Sequence, residues 1–133
     1  MGKAWSRDPG IRFLRASVAA LLFVHGLYRL MAGGVAPFGG FLDSVGIPFG
    51  LQVAAFLTFV EIAGTPFLAA GIATRPLIVW FAVELLAGIV LVHAREGWFV
   101  VGGGRNGVEY SVVLLLALLA VFWSDVWWRR RGF

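Results

Sequence analysis

Five side chains that can carry charge or exchange protons stand in or beside apolar runs of this chain: His25, Arg29, Glu61, His93 and Glu109. Tyr110 follows Glu109 directly. An isolated carboxylate at bilayer depth costs on the order of 2.5 kcal/mol or more, so Glu61 needs a cation, a proton or water beside it. Arg29 is a suitable cation and shares a helix face with His25, four residues earlier. Imidazole changes charge near neutral pH, so a histidine beside a buried acid suits proton transfer. Glu61 and His25 are therefore the candidate catalytic groups, as proton handlers. Arg29, His93, Glu109 and Tyr110 are candidate ligand-binding groups. Two histidines can hold a haem or a metal, but no spacing motif accompanies these two, and no metal ligand is assigned.

Helices must position these groups. The stretch from Phe49 to Ala73 is about as long as a bilayer core is thick, roughly 20 residues of helix, and Glu61 near its middle is its one charged residue. With similar runs elsewhere, the spans fall at about 13–30, 49–72, 76–93 and 108–126. This predicts an all-α membrane protein, a bundle of four transmembrane helices forming one domain over 1–133. Hydrophobic residues make up 60% and charged residues 14% of the 133, against roughly 25% charged in a soluble domain. No room is left for a separate soluble catalytic domain. The chain has no cysteine, which excludes disulfide exchange, thiolate catalysis, iron–sulfur clusters and cysteine zinc sites. The net charge of +4 does not mark a nucleic-acid binder, because the basic residues sit at the ends of apolar runs. Arg129, Arg130 and Arg131 instead suit anionic lipid headgroups.

Local signals refine the spans. A basic start before the first run imitates a signal peptide, but no clear small-residue cleavage site follows, and a retained helix is expected. Arg15 lies in its first turn, where it can snorkel to the headgroups. In the Gly/Pro-rich connection after it, Phe38, Phe41, Leu42 and Val45 follow i, i+3, i+4, i+7, predicting a short interfacial or re-entrant helix. Pro48 suits the first turn of the second span. Gly64 would let a neighbouring helix come close to that span, and Pro66 should kink it. Pro76 starts the third span. Glu84 and His93 lie on opposite faces of an ideal third helix, so both enter one cavity only if the helix is locally distorted; Glu84 is otherwise left to another helix or a partner subunit. Gly102, Gly104 and Gly107 spell G-x-G-x-x-G without the preceding strand that a dinucleotide site needs. A turn whose amides cradle an anion is the milder alternative. Glu109, in the first turn of the fourth span, also suits the helix dipole by itself.

Four spans put both termini on one side. Lys3, Arg7, Arg12, Arg15, Arg75 and Arg129 to Arg131 fall on that side, and Arg29, Arg95 and Arg105 on the other. The bias places both termini of the multi-pass chain in the cytoplasm. His25, Arg29, His93 and Glu109 should then gather in the outer half, above Glu61. Arg29 can neutralise one carboxylate, Glu61 or Glu109, and the other is left to a histidine or to protonation. Either a polar network that fixes helix register or a small polar pocket answers to this description.

In this order and spacing, His25-Gly26 with Arg29, Phe41-Leu42 to Gly46-Ile47-Pro48, Glu61-Ile62-Ala63-Gly64, Gly71 with Thr74-Arg75, His93, and Glu109-Tyr110 resemble the DoxX family of small four-helix membrane proteins. The resemblance runs from about Arg12 to Val121 and, because the family is bacterial and archaeal, implies a prokaryotic cytoplasmic (inner) membrane. It departs at Arg29, where the family often has lysine, and in the Trp127-Trp128-Arg129 tail. Some relatives are implicated in quinone-linked oxidation of sulfur compounds, which makes a quinone the cofactor to consider here.

Three functions compete. A quinone-linked redox subunit would use His25 or Arg29 to hydrogen-bond a quinone carbonyl and Glu61 to handle protons, with electrons from a partner or bound cofactor. A non-catalytic accessory subunit would bind other membrane proteins, or copies of itself, through its spans and its aromatic–arginine tail. A carrier of protons or small polar solutes would need an oligomer, because four helices leave little room for a pore.

Overall fold

The computed structural model describes residues 8–131. Lys3 and Arg7 lie outside that range, and the side chains of Trp128 and Arg129 are also outside the described set. Five α-helices follow one another: α1 Pro9–Met31, α2 Val35–Ser44, α3 Gly50–Ala70, α4 Thr74–Leu91 and α5 Glu109–Arg130, with a 3-10 turn over His93–Glu96. Four of them are long and apolar enough to cross a membrane, with 23, 21, 18 and 19 residues in their apolar spans. The architecture is the expected all-α, four-span bundle. Helix α1 packs on α3 and α5, α4 packs on the same two, and α2 lies against α3.

Helix ends are set by local chemistry. Asp8 caps α1, its carboxylate accepting from the Gly10 amide at 2.7 Å. At the end of α3 the Gly71 amide donates to the Leu68 carbonyl and the Ile72 amide to that of Phe67. This pattern needs a left-handed residue, which Gly71 provides at φ 80°. It lets α4 start three residues later. Pro48 falls just before α3 rather than in its first turn, and α3 begins at Gly50, whose amide donates to the Asp43 carboxylate of α2 at 2.9 Å. Helix α3 runs through Pro66 without interruption.

The two halves of the bundle are filled differently. In the half holding the start of α1 and the end of α5, Val18, Ala19, Leu68, Ile78, Leu118 and Val121 close into a continuous core with Leu22, Phe81 and Leu114. Packing of this kind, rather than escape from water, holds helices together in lipid. At the outer edge of that half, Arg15 is only 6% exposed. It does not snorkel. Its guanidinium lies over Gly71, donates to the Ala69 carbonyl at 3.3 Å and lies within electrostatic reach of Asp125. Asp125 accepts from Arg75 Nε at 2.6 Å. These residues join α1, α3, α4 and α5 at one end.

Candidate functional site

The other half is hollow. A cavity of about 670 Å³, walled mainly by apolar side chains, opens among the C-terminal half of α1, the N-terminal half of α3, the C-terminal half of α4 and the first turns of α5. Helix α2 forms one wall through Phe38, Phe41 and Leu42. Its close seat on α3 depends on Gly39, where an added Cβ would lie 2.6 Å from Leu51 Cα. Thus the Phe/Leu periodicity of α2 makes a cover for the cavity.

Glu61 sits in one wall, 2% exposed. Arg29 meets its Oε1 through both Nη1 and Nη2 at 3.3 Å, and Nη1 also donates to Thr58 Oγ1 at 3.1 Å. Thr58 in turn donates to the Ala54 carbonyl, which fixes its lone pairs toward the guanidinium. The Phe38 ring stacks on Arg29 at 4.6 Å, a cation–π contact that ties α2 to the pair. Of the two acids open to Arg29 by sequence, Glu61 is the one it neutralises. Helices α1 and α3 come this close because of Gly26, where a Cβ would sit 2.7 Å from Glu61 Cβ.

His25, His93 and Tyr110 also line the cavity. His25 stands on its open side and lies within electrostatic reach of Glu61, Arg29 and His93. His93 enters because α4 stops at Leu91 and the chain turns through Val92 at φ −124°, ψ −65° into the 3-10 turn. That break is the local distortion needed for Glu84 and His93 to share a cavity. His93 Nδ1 lies 2.8 Å from the Asn106 carbonyl. A carbonyl only accepts, so Nδ1 carries the hydrogen and Nε2 of the neutral ring is left as an acceptor.

Glu109 lies outside the cavity. Its Oε1 accepts the Val100 amide at 3.1 Å and so pins the loop before α5. The glycine-rich loop holds no free anion cradle at the start of α5, because the amides of Gly107, Val108 and Glu109 donate to the carbonyls of Phe99, Gly97 and Trp98.

Sequence reasoning left the direction of Glu84 open. It faces inward, beside the Glu61 carboxyl and the Trp80 indole. Glu61 Oε2, Glu84 Oε2 and Trp80 Nε1 are all shut off from solvent without a hydrogen-bond partner. No group of three or more His, Cys, Asp or Glu among the described residues is placed to hold a metal ion. The arrangement can accept or release a proton and can present donors to a ligand oxygen within apolar walls.

Neither a curated protein nor a solved structure matches this chain. A family model, DoxX, matches residues 10–94, which spans α1 to α4 and the first half of the 3-10 turn and includes His25, Arg29, Glu61, Glu84 and His93. Glu109 and Tyr110 lie beyond the match. With four membrane-length helices and well over half its length matched, the chain is a multi-pass membrane protein that belongs to the DoxX family.

Proposed function

We propose that the cavity binds a quinone and that the protein is a redox-associated membrane subunit. One observation carries this reading: a mainly apolar cavity of about 670 Å³ with a half-buried cation, two acids and an indole N–H in its wall. Small-molecule sites commonly occupy roughly 300–1,000 Å³ and combine apolar walls with a few convergent polar groups. The residues present fit a quinone. Apolar side chains of α1, α2 and α4 suit its ring and tail, and Arg29, Trp80, Tyr110 or His25 can donate to its carbonyl oxygens. When bound, a quinone supplies two-electron, two-proton chemistry.

This chain's residues would orient the ring, keep bulk water away from it and hold protons at Glu61 and Glu84. Electrons would come from a redox partner protein. Arg12, Arg15, Arg75, Arg130 and Arg131 crowd one end, while Arg95 and Arg105 stand at the other and Arg29 is engaged with Glu61. That imbalance supports an inner-membrane orientation with both termini in the cytoplasm and the cavity in the outer half. Since Glu84 faces inward, it offers no surface charge to an accessory-subunit interface.

Titration of a short-chain ubiquinone into the full chain in lipid nanodiscs tests the binding. The expected result is saturable tryptophan quenching that disappears in Trp80→Phe and weakens at least tenfold, about 1.4 kcal/mol, in Arg29→Gln. Quenching that never saturates, or that is equal in Trp80→Phe, would refute it.

A further inference from the structure

We infer that Glu61 and Glu84 share one proton across the single guanidinium of Arg29, so that the cavity wall stores a proton in its resting state. Charge balance leads there first. Two carboxyl groups from α3 and α4 lie side by side, and Arg29, bonded to Glu61 and within electrostatic reach of Glu84, is the one permanent cation at the pair among the described residues. Two carboxylates and one guanidinium would leave a net negative charge at membrane depth, the costly arrangement.

The hydrogen-bonding capacity of the pair requires the same proton. An ionised carboxylate only accepts, yet Glu61 Oε2 and Glu84 Oε2 are each sealed from solvent without a donor. Two facing acceptors cannot satisfy each other. A proton on either one turns the pair into a donor and an acceptor and removes both deficits. Trp80 Nε1, also unpartnered, stands beside Glu84 and can donate to its other oxygen.

Helix α1 brings His25 and Arg29, α3 brings Thr58 and Glu61, and α4 brings Trp80 and Glu84. His93 comes from the 3-10 turn, and Tyr110 from α5. Thr58, Trp80 and Tyr110 are neutral near pH 7. His93 has its Nδ1–H committed to Asn106, and His25 stands on the open side. None of these places a second fixed cation at the pair.

The stored proton gives Glu84 a role that nothing else assigns. If the O–H bond at Glu84 breaks toward a ligand oxygen, two carboxylates remain beside one guanidinium, and the proton is replaced through His25 on the open side. That use rests on the quinone reading above; the proton itself does not.

The test is infrared spectroscopy of the full chain in lipid nanodiscs near pH 7.5, with hydrogen–deuterium exchange. Exposed acids are carboxylates at that pH, so a protonated acid stands out by its carbonyl band and its isotope shift. One such acid per chain is expected, lost in Glu84→Gln and in Glu61→Gln, because either leaves one carboxylate on Arg29. Arg29→Gln should roughly double the band, since both acids then bind protons. Absence of the band in the native chain, or its survival in both glutamine variants, would overturn the inference. The measurement involves no ligand, so a chain that shows the band but binds no quinone would keep the stored proton and refute the quinone site.

Discussion

Glu61 of α3 fills the space that a side chain at Gly26 of α1 would need. A Cβ built on the glycine would come within 2.8 Å of Glu61 Oε2 as well as 2.7 Å of its Cβ. The smallest residue is needed beside this buried acid, because only then does Arg29, one turn further along α1, reach Oε1. Gly26→Ala should therefore lower stability by about 1–3 kcal/mol, the usual cost of overpacking. It should also swing Glu61 off Arg29 and reduce quinone affinity. Thermal unfolding and ligand titration on the same preparation check both effects.

The Arg29–Glu61 pair should behave as a unit. Arg29→Met removes the cation and leaves Glu61 and Glu84 to bind protons in its place, at a cost of up to about 3–5 kcal/mol. Arg29→Met combined with Glu61→Leu should recover most of that stability while ligand binding stays lost. A double-mutant cycle on unfolding free energy, with binding measured for each corner, separates the two roles. Additive losses would mean that the contact carries no coupling.

At the opposite end, Arg75–Asp125 predicts stability without function. Asp125 is 2% exposed and receives Arg75 Nε at 2.6 Å, with Arg15 close by. Asp125→Ala takes the acid away from buried Arg15 while the partly exposed Arg75 is solvated, and should cost about 1–3 kcal/mol. Quinone affinity of the surviving folded fraction should change less than twofold, about 0.4 kcal/mol. Unfolding curves and titrations of the variant test this directly.

The loop before α5 should open when His93 is lost. His93 Nδ1 holds the Asn106 carbonyl, and Asn106 has the left-handed φ of 60°. Asn106→Val should cost about 1–2 kcal/mol, because a β-branched residue resists that conformation, whereas Asn106→Gly should be nearly neutral. His93→Ala should raise the rate of proteolysis within residues 97–107, which is measured by mass spectrometry of the fragments.

The four membrane helices could be read from the sequence because a bilayer demands long apolar runs whose backbone bonds close within the helix. Their ends shifted by only a few residues, with α1 starting at Pro9 and α5 reaching Arg130. The cover helix was equally legible from the spacing of Phe38, Phe41 and Leu42. Arg29 was recognisable as a cation in need of an acid, although its choice of Glu61 over Glu109 was not. Three-dimensional packing decided that choice, through the close approach of α1 and α3 at Gly26. It also decided that Arg15 is buried against Gly71 rather than drawn out to headgroups, since its carbonyl and acid partners come from α3 and α5. Most consequentially, it turned Glu84 inward. Helical periodicity relates residues on one helix, and here the end of α4 at Leu91 broke that relation, bringing Glu84 and His93 to the same cavity. The apolar runs thus determined by themselves that this chain spans a membrane four times. Which charges meet inside it depended on close helix contacts and one helix end, which are properties of the assembled bundle and not of any one segment.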